Sequence, residues 1–263
     1  MKMTKYAPGM PCWVDLGTKD LDAAKGFYSS LFGWDAQATD DPAAGGYVMF
    51  LLGGEPVAGA MKTMSPEQPT VWSTYVAVAS ADDAMAKAES GGAKVIVAPM
   101  DVMDVGRMAM FQDPTGAALG LWQPQKHKGA GRVNEPGAMC WNELLTRDAA
   151  AAKKFYSAVF GWTTESTPAG GMEYTEWHLG GKSIGGMMQM DDEHFPPETP
   201  PNWNVYFAVA DCAAAVTKIG DLGGKVVVPP TQIPVGTFAV CQDPQGAFFS
   251  IIQLAQRPEG GAA

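Results

Sequence analysis

The chain repeats itself. CWVDLGTKDLDAAKGFYSSLFGW at residues 12–34 returns as CWNELLTRDAAAAKKFYSAVFGW at 140–162, 128 positions later and identical at 14 of 23 places. A repeat of that length means two copies of one structural unit, so whatever the first half folds into, the second must also. The correspondence continues in order. Tyr47–Gly54 answers Tyr174–Gly181, Gly59–Met61 answers Gly186–Met188, Trp72–Val78 answers Trp203–Val209, and FQDPTG (111–116) answers CQDPQG (241–246). The expected domains are therefore 1–125 and 137–258. Residues 126–136 form the linker, where Gly is mixed with Lys126, Lys128 and Arg132 and no apolar period is visible.

Each copy alternates strand and helix signals. Residues 11–17 predict a strand, after which Asp20 can cap a helix whose Leu21, Ala24, Phe27, Tyr28, Leu31 and Phe32 fall at helical spacing. Gly33 is placed to end it, and Asp148 to Gly161 repeats every feature. YVMFLLGG and PVAGAMKTM then predict a meander, WSTYVAVA a further strand, and residues 82–89 a short helix stopped by Gly91 and Gly92. KVIVAP, VGRMAMFQ and AALGLWQ close the half, the last two joined by the turn DPTG. The pattern is α+β: strand, helix, three strands, written four times.

Composition narrows the function. With 18 Lys and Arg against 28 Asp and Glu the net charge is -10, which repels phosphate backbones and anionic lipid, so neither nucleic acid nor a membrane is an expected partner. Four cysteines in 263 residues do not make a disulfide framework, and MKMTKYAPGMPCW lacks the apolar core of a signal peptide. A reduced, cytoplasmic setting is the expectation. The duplication supplies internally what a dimer would supply, which leaves monomer and homodimer both open.

The helix ending FYSSLFGW or FYSAVFGW, the QDPTG or QDPQG hairpin, and the paired strand–helix–three-strand units together resemble the vicinal oxygen chelate superfamily. That superfamily contains glyoxalase I, bleomycin-resistance proteins and extradiol dioxygenases. The resemblance implies four βαβββ modules whose sheets curl around cavities. It also implies, in metal-dependent members, a divalent ion held by His, Gln or Glu from the first and last strands. The first-strand position falls on Trp13 and Trp141, and the last-strand position on Gly120 and Ser250. The remaining one falls at Ser73 or Trp72, and at Asn204 or Trp203. Indole, glycine and serine make poor ligands for a hard cation, so no metal and no other cofactor is expected.

Other residues of those strands become the candidates. Alternation puts Asp15 beside Trp13 and Glu143 beside Trp141, giving each half an inward carboxylate that could exchange a proton or hydrogen-bond a ligand. Trp13, Trp72, Trp141 and Trp203 are expected to line the cavities, with Asn204 and Tyr206 beside them. His178, two residues after Glu176, is the one histidine on an expected strand, while DDEH (191–194) reads as a solvated acidic turn. Two functions follow. One is metal-independent binding of a small organic molecule in a Trp-lined cavity, in a bleomycin-resistance-like or sequestering role. The other is a glyoxalase-like lyase or a hydroxylase/dioxygenase with a non-standard site using Glu143 or Asp15.

Overall fold

A computed structural model of the chain describes residues 1–39, 44–169 and 171–255. The first half runs β1 (Pro11–Thr18), α1 (Leu21–Phe32), β2 (Asp35–Ala38), β3 (Val48–Leu52), β4 (Glu55–Lys62), β5 (Val71–Ala77), α2 (Ala81–Ser90), β6 (Lys94–Val102), β7 (Gly106–Gln112) and β8 (Ala118–Pro124). The second repeats this order as β9 (Met139–Thr146), α3 (Ala149–Phe160), β10 (Thr163–Ala169), β11 (Met172–Leu179), β12 (Lys182–Gln189), β13 (Asn202–Ala208), α4 (Cys212–Asp221), β14 (Lys225–Ile233), β15 (Gly236–Gln242) and β16 (Phe248–Leu254).

Local chemistry sets the helix ends. Asp20 Oδ1 accepts from Ala23 N at 3.0 Å and Asp148 Oδ1 from Ala151 N at 2.9 Å, satisfying a free donor of each first turn. Gly33 and Gly161 close the two helices in the left-handed region, at φ 73° and 72°. The edge strands β2 and β10 had no signature in the sequence, because DAQA is exposed throughout and TTESTPA from Thr163 to Pro168, leaving no alternation to read.

Each half makes one eight-stranded sheet, in the order β2-β3-β4-β1-β5-β8-β7-β6 and its copy β10-β11-β12-β9-β13-β16-β15-β14. The two modules of a half thus join through the central antiparallel pair, β1 with β5 and β9 with β13. The sheets stay open, with β2 and β6, or β10 and β14, as separate edges.

The halves pack through their helix-bearing faces. One core joins Phe27, Tyr28, Trp34 and Trp72 to Phe207 and Phe249, and the other joins Phe111, Leu119 and Leu121 to Phe155, Tyr156, Trp162 and Trp203. Burying four aromatic residues from one half against the other supplies several kcal/mol, at roughly 2 kcal/mol per large side chain. Polar ties run both ways across this seam. Tyr28 OH donates to Asp243 Oδ2 at 3.0 Å, and Tyr156 OH to Asp113 Oδ2 at 2.7 Å. Trp72 and Trp203 donate to those same two hydroxyls, each at 2.9 Å. Trp34 Nε1 reaches Gly137 O and Trp162 Nε1 reaches Gly9 O, at 2.6 and 2.7 Å. The two repeated motifs are therefore the two jaws of one clamp: the FY tyrosine of each half closes on the DPxG aspartate of the other. The segment after β8 is no loose tether either. Ala130 N donates to Cys12 O and Gly131 N to Pro56 O, and Ala130 and Val133 are buried.

Candidate functional site

Strand alternation sorts β1 into two faces. Val14 and Leu16 point to the helix-bearing side, Leu16 level with Trp72, while Trp13 and Asp15 occupy the opposite face, which we term the carboxylate face. On β5 the register pairs Trp13 with Tyr75 and Asp15 with Ser73, and β8 brings Gly120 beside Tyr75. The second half pairs Trp141 with Tyr206, Glu143 with Asn204, and Tyr206 with Ser250. Asp15, Trp13, Glu143, Trp141, Asn204 and Tyr206 thus share the face expected of them.

Trp72 and Trp203 do not. They alternate onto the helix-bearing face, where their indoles are bonded to Tyr28 and Tyr156, and so they belong to the seam between halves and not to a ligand site. The one-residue ambiguity in the sequence resolves further along the strand: Tyr75 and Tyr206 stand level with Trp13 and Trp141.

Around each carboxylate the same network is built. Trp141 Nε1 donates to Tyr174 OH at 2.8 Å, and Tyr206 OH donates to Glu143 Oε1 at 3.0 Å. Trp13 Nε1 donates to Tyr47 OH at 3.0 Å, and the Tyr47 and Tyr75 hydroxyls sit on Asp15. The hydroxyls need bare backbone beneath them: a Cβ on Gly59 would lie 1.8 Å from Tyr47 Oη, and one on Gly186 2.0 Å from Tyr174 Oη. Tyr47 and Tyr174 were the contributors that sequence reasoning missed. The signal was there, since Tyr47 with Gly59 and Tyr174 with Gly186 are identical in both copies.

Burial governs the charge. Asp15 is 8% and Glu143 5% exposed, with no cation among the described residues bonded to either. Desolvation pushes the Asp15 carboxyl up to about 7, against the opposing pull of the Tyr75 and Tyr47 hydroxyls. It raises Glu143 as well, against Tyr174 and Tyr206. The phenols are in turn driven far above their usual range, by burial first and then by the neighbouring carboxylates, so they act as hydrogen-bond donors and not as bases.

Two surface depressions, of about 240 and 320 Å³, touch neither carboxylate; one is lined by Val78, Lys87 and Phe160, the other by Met172, Glu173 and Gln189. His178 lies 3.4 Å from Glu176, whose carboxylate also accepts from Ser183 at 2.6 Å, and it makes no hydrogen bond to Glu143. The DDEH segment is a turn built on Asp191, which accepts from the backbone N of Glu193 and His194.

A divalent cation does not suit these residues. The row level with the metal positions of the resemblance carries Trp13, Tyr75 and Gly120 in one half and Trp141, Tyr206 and Ser250 in the other. Indole N–H offers no lone pair, and the Tyr75 ring fills the space a side chain at residue 120 would need, 2.2 Å from its Cβ position.

The halves differ where it matters for a ligand. The second has Asn204 where the first has Ser73, and Ser250 where the first has Gly120. Asn204 Nδ2 donates to Ser250 Oγ at 2.7 Å, but Asn204 Oδ1 is buried with no partner among the described residues.

Comparison with known proteins agrees with this architecture. The chain is 45% identical over 260 residues to CFP32 of Mycobacterium tuberculosis, provisionally named a glyoxylase, covering 97% of this chain and 98% of that one. It is 37% identical over 268 residues to the anthracycline biosynthesis protein DnrV of Streptomyces peucetius, covering 97% and 96%. Among solved structures, the 2,3-dioxygenase LapB of a Pseudomonas species superposes with a TM-score of 0.67 at 15% identity, covering 97% of this chain and 96% of its own. The Mn(II)-bound glyoxalase of Novosphingobium aromaticivorans gives 0.64 at 18%, covering 95% and 86%. The sequence profile of the glyoxalase/bleomycin resistance protein/dioxygenase superfamily matches residues 12–121 and again 134–251, and the chain belongs to that superfamily.

Proposed function

We propose that this protein binds a small organic molecule on the carboxylate face of its second half, through Glu143, Asn204 and Tyr206, without a metal ion. The observation that carries this reading is the Asn204 amide, one end of which meets Ser250 while the other is buried with no partner among the described residues: such an unmet polar atom costs about 1–3 kcal/mol, and a ligand hydroxyl, able to donate or accept, would supply the missing bond. Glu143, paired with Asn204 across the strands, offers a second acceptor to the same group, and Tyr206 a donor. The ligand class follows as an uncharged molecule carrying hydroxyls. The relative named for anthracycline biosynthesis makes a polycyclic hydroxyketone the first probe to use.

Titrating the protein with an anthracyclinone should quench tryptophan fluorescence saturably, and Glu143→Gln should weaken binding about tenfold by replacing an accepting carboxyl oxygen with an amide NH2 that cannot accept. Equal affinity in the variant would remove Glu143 from the site. A second reading, acid–base catalysis of the lyase or hydroxylase kind, is favoured by the carboxyls themselves, because an acid at about 7 such as Asp15 is half protonated at neutral pH. Turnover of a methylglyoxal–thiol adduct, lost in Asp15→Asn or Glu143→Gln with binding kept, would establish it.

A further inference from the structure

The clamp that joins the two halves is written twice. Tyr28 closes on Asp243, but the first half's own Asp113 is the same residue at the same place in the repeat, and Trp34 reaches Gly137 as Trp162 reaches Gly9. Gln245, which bonds Thr18 and Asp20 of the first half, would find the identical Thr146 and Asp148 in the second. All of these bonds would form equally well if a half met a second copy of itself. They hold the seam without choosing the partner.

Among the described residues, one buried side-chain bond across the seam has no counterpart in the repeat. Thr74 Oγ1 donates to Asn142 Oδ1 at 2.9 Å, with the two residues 1% and 3% exposed. Thr74 stands on β5 level with Val14, and Asn142 on β9 level with Val205. In the repeat Val14 is the counterpart of Asn142, and Val205 is the counterpart of Thr74. The two equivalent places are thus held by valines, both fully buried in one core. The union of unlike halves matches polar with polar and apolar with apolar. First half on first half would set each Thr74 hydroxyl against Val14 of a second copy, and second half on second half would set each Asn142 amide against Val205. A buried amide or hydroxyl facing valine keeps its desolvation cost and loses the bond that offsets it.

We propose that Thr74 and Asn142 are a pairing device: they make the helix-bearing face of each half accept the unlike half and disfavour a second copy of itself. The chemistry suits discrimination more than stability, because Val14 and Val205 show that an apolar pair fills the equivalent space without any desolvation of polar groups.

The test is refolding of the full chain from denaturant at high concentration, held until the products are constant, with monomer and dimer separated by size and identified by light scattering. Thr74→Val/Asn142→Val makes both contacts apolar, so the monomer keeps or raises its melting point. Its dimer-to-monomer ratio rises about tenfold over wild type, the worth of one unmet buried polar atom. Exchange of halves between chains in the correct sense is indifferent to this variant, so the excess counts like-with-like pairing. Tyr156→Phe is the control: it loosens the seam at a bond that both kinds of pairing share and leaves the ratio at the wild-type value. A ratio unchanged in Thr74→Val/Asn142→Val, or raised as far by Tyr156→Phe, would overturn the device.

Discussion

Asp15→Asn will stabilise the protein at pH 8 relative to its effect at pH 4, by about 10 °C in the difference between the two melting-point shifts. The carboxyl lies near 7 in the fold and near 3.8 in the unfolded chain, raised by burial. Between those values the native state holds a proton that the unfolded chain has released. Stability contributed by this group is therefore complete below about 4 and lost as pH rises through 7. Three pH units correspond to about 4 kcal/mol, and chains of this size move about 2–4 °C per kcal/mol. Asparagine cannot ionise, so its melting point lacks this slope, and subtracting the pH 4 offset removes whatever its amide costs structurally. Thermal melts of both proteins from pH 4 to pH 8.5 provide the check. Parallel curves would mean that Asp15 is charged and solvated in the fold.

Asp113→Ala should be the most damaging single change at the seam, lowering the melting point by about 10 °C for a cost of about 4 kcal/mol. Asp113 Oδ1 accepts from the backbone N of Thr115, Gly116 and Ala117, and Oδ2 holds the Tyr156 hydroxyl of the other half. Alanine leaves the Thr115 and Ala117 donors and the Tyr156 hydroxyl unanswered at once, while Gly116 N keeps its bond to the backbone oxygen of residue 113. Tyr156→Phe alone should cost about 1 kcal/mol, and much less in the Asp113→Ala background, because the partner has already gone. Additive losses in that double-mutant cycle would show that the cross-half bond carries no energy and that the aspartate serves only its own turn.

Much of this was legible in the sequence because repetition and period both leave marks. The helix from Leu21 to Phe32 was readable from its cap, its spacing and Gly33. The carboxylate face was readable because alternation from Trp13 gives Asp15. What could not be read depends on registers between strands and on contacts between the halves, across 43 to 215 residues. Trp72 repeats as faithfully as Trp13, yet one is structural and one faces the carboxylate; only pairing with β1 decides which way it points. Tyr28 and Asp243 are 215 residues apart, so their motifs looked like separate signatures of a family and not like two ends of one bond.

The reciprocal clamp also bears on how the chain comes off the ribosome. When the first sheet has emerged, Tyr28 has no Asp243 to reach, Asp113 has no Tyr156, and Phe27, Trp34 and Trp72 have lost the wall that covers them. Synthesis at about 5–20 residues per second leaves this greasy surface uncovered for many seconds before the second copy is complete. A nascent first half can meanwhile find the matching surface of another nascent first half, since it was built to fit a near-duplicate of itself. Tandem fusion in one chain raises the local concentration of the correct partner and makes that mistaken pairing the loser in the race.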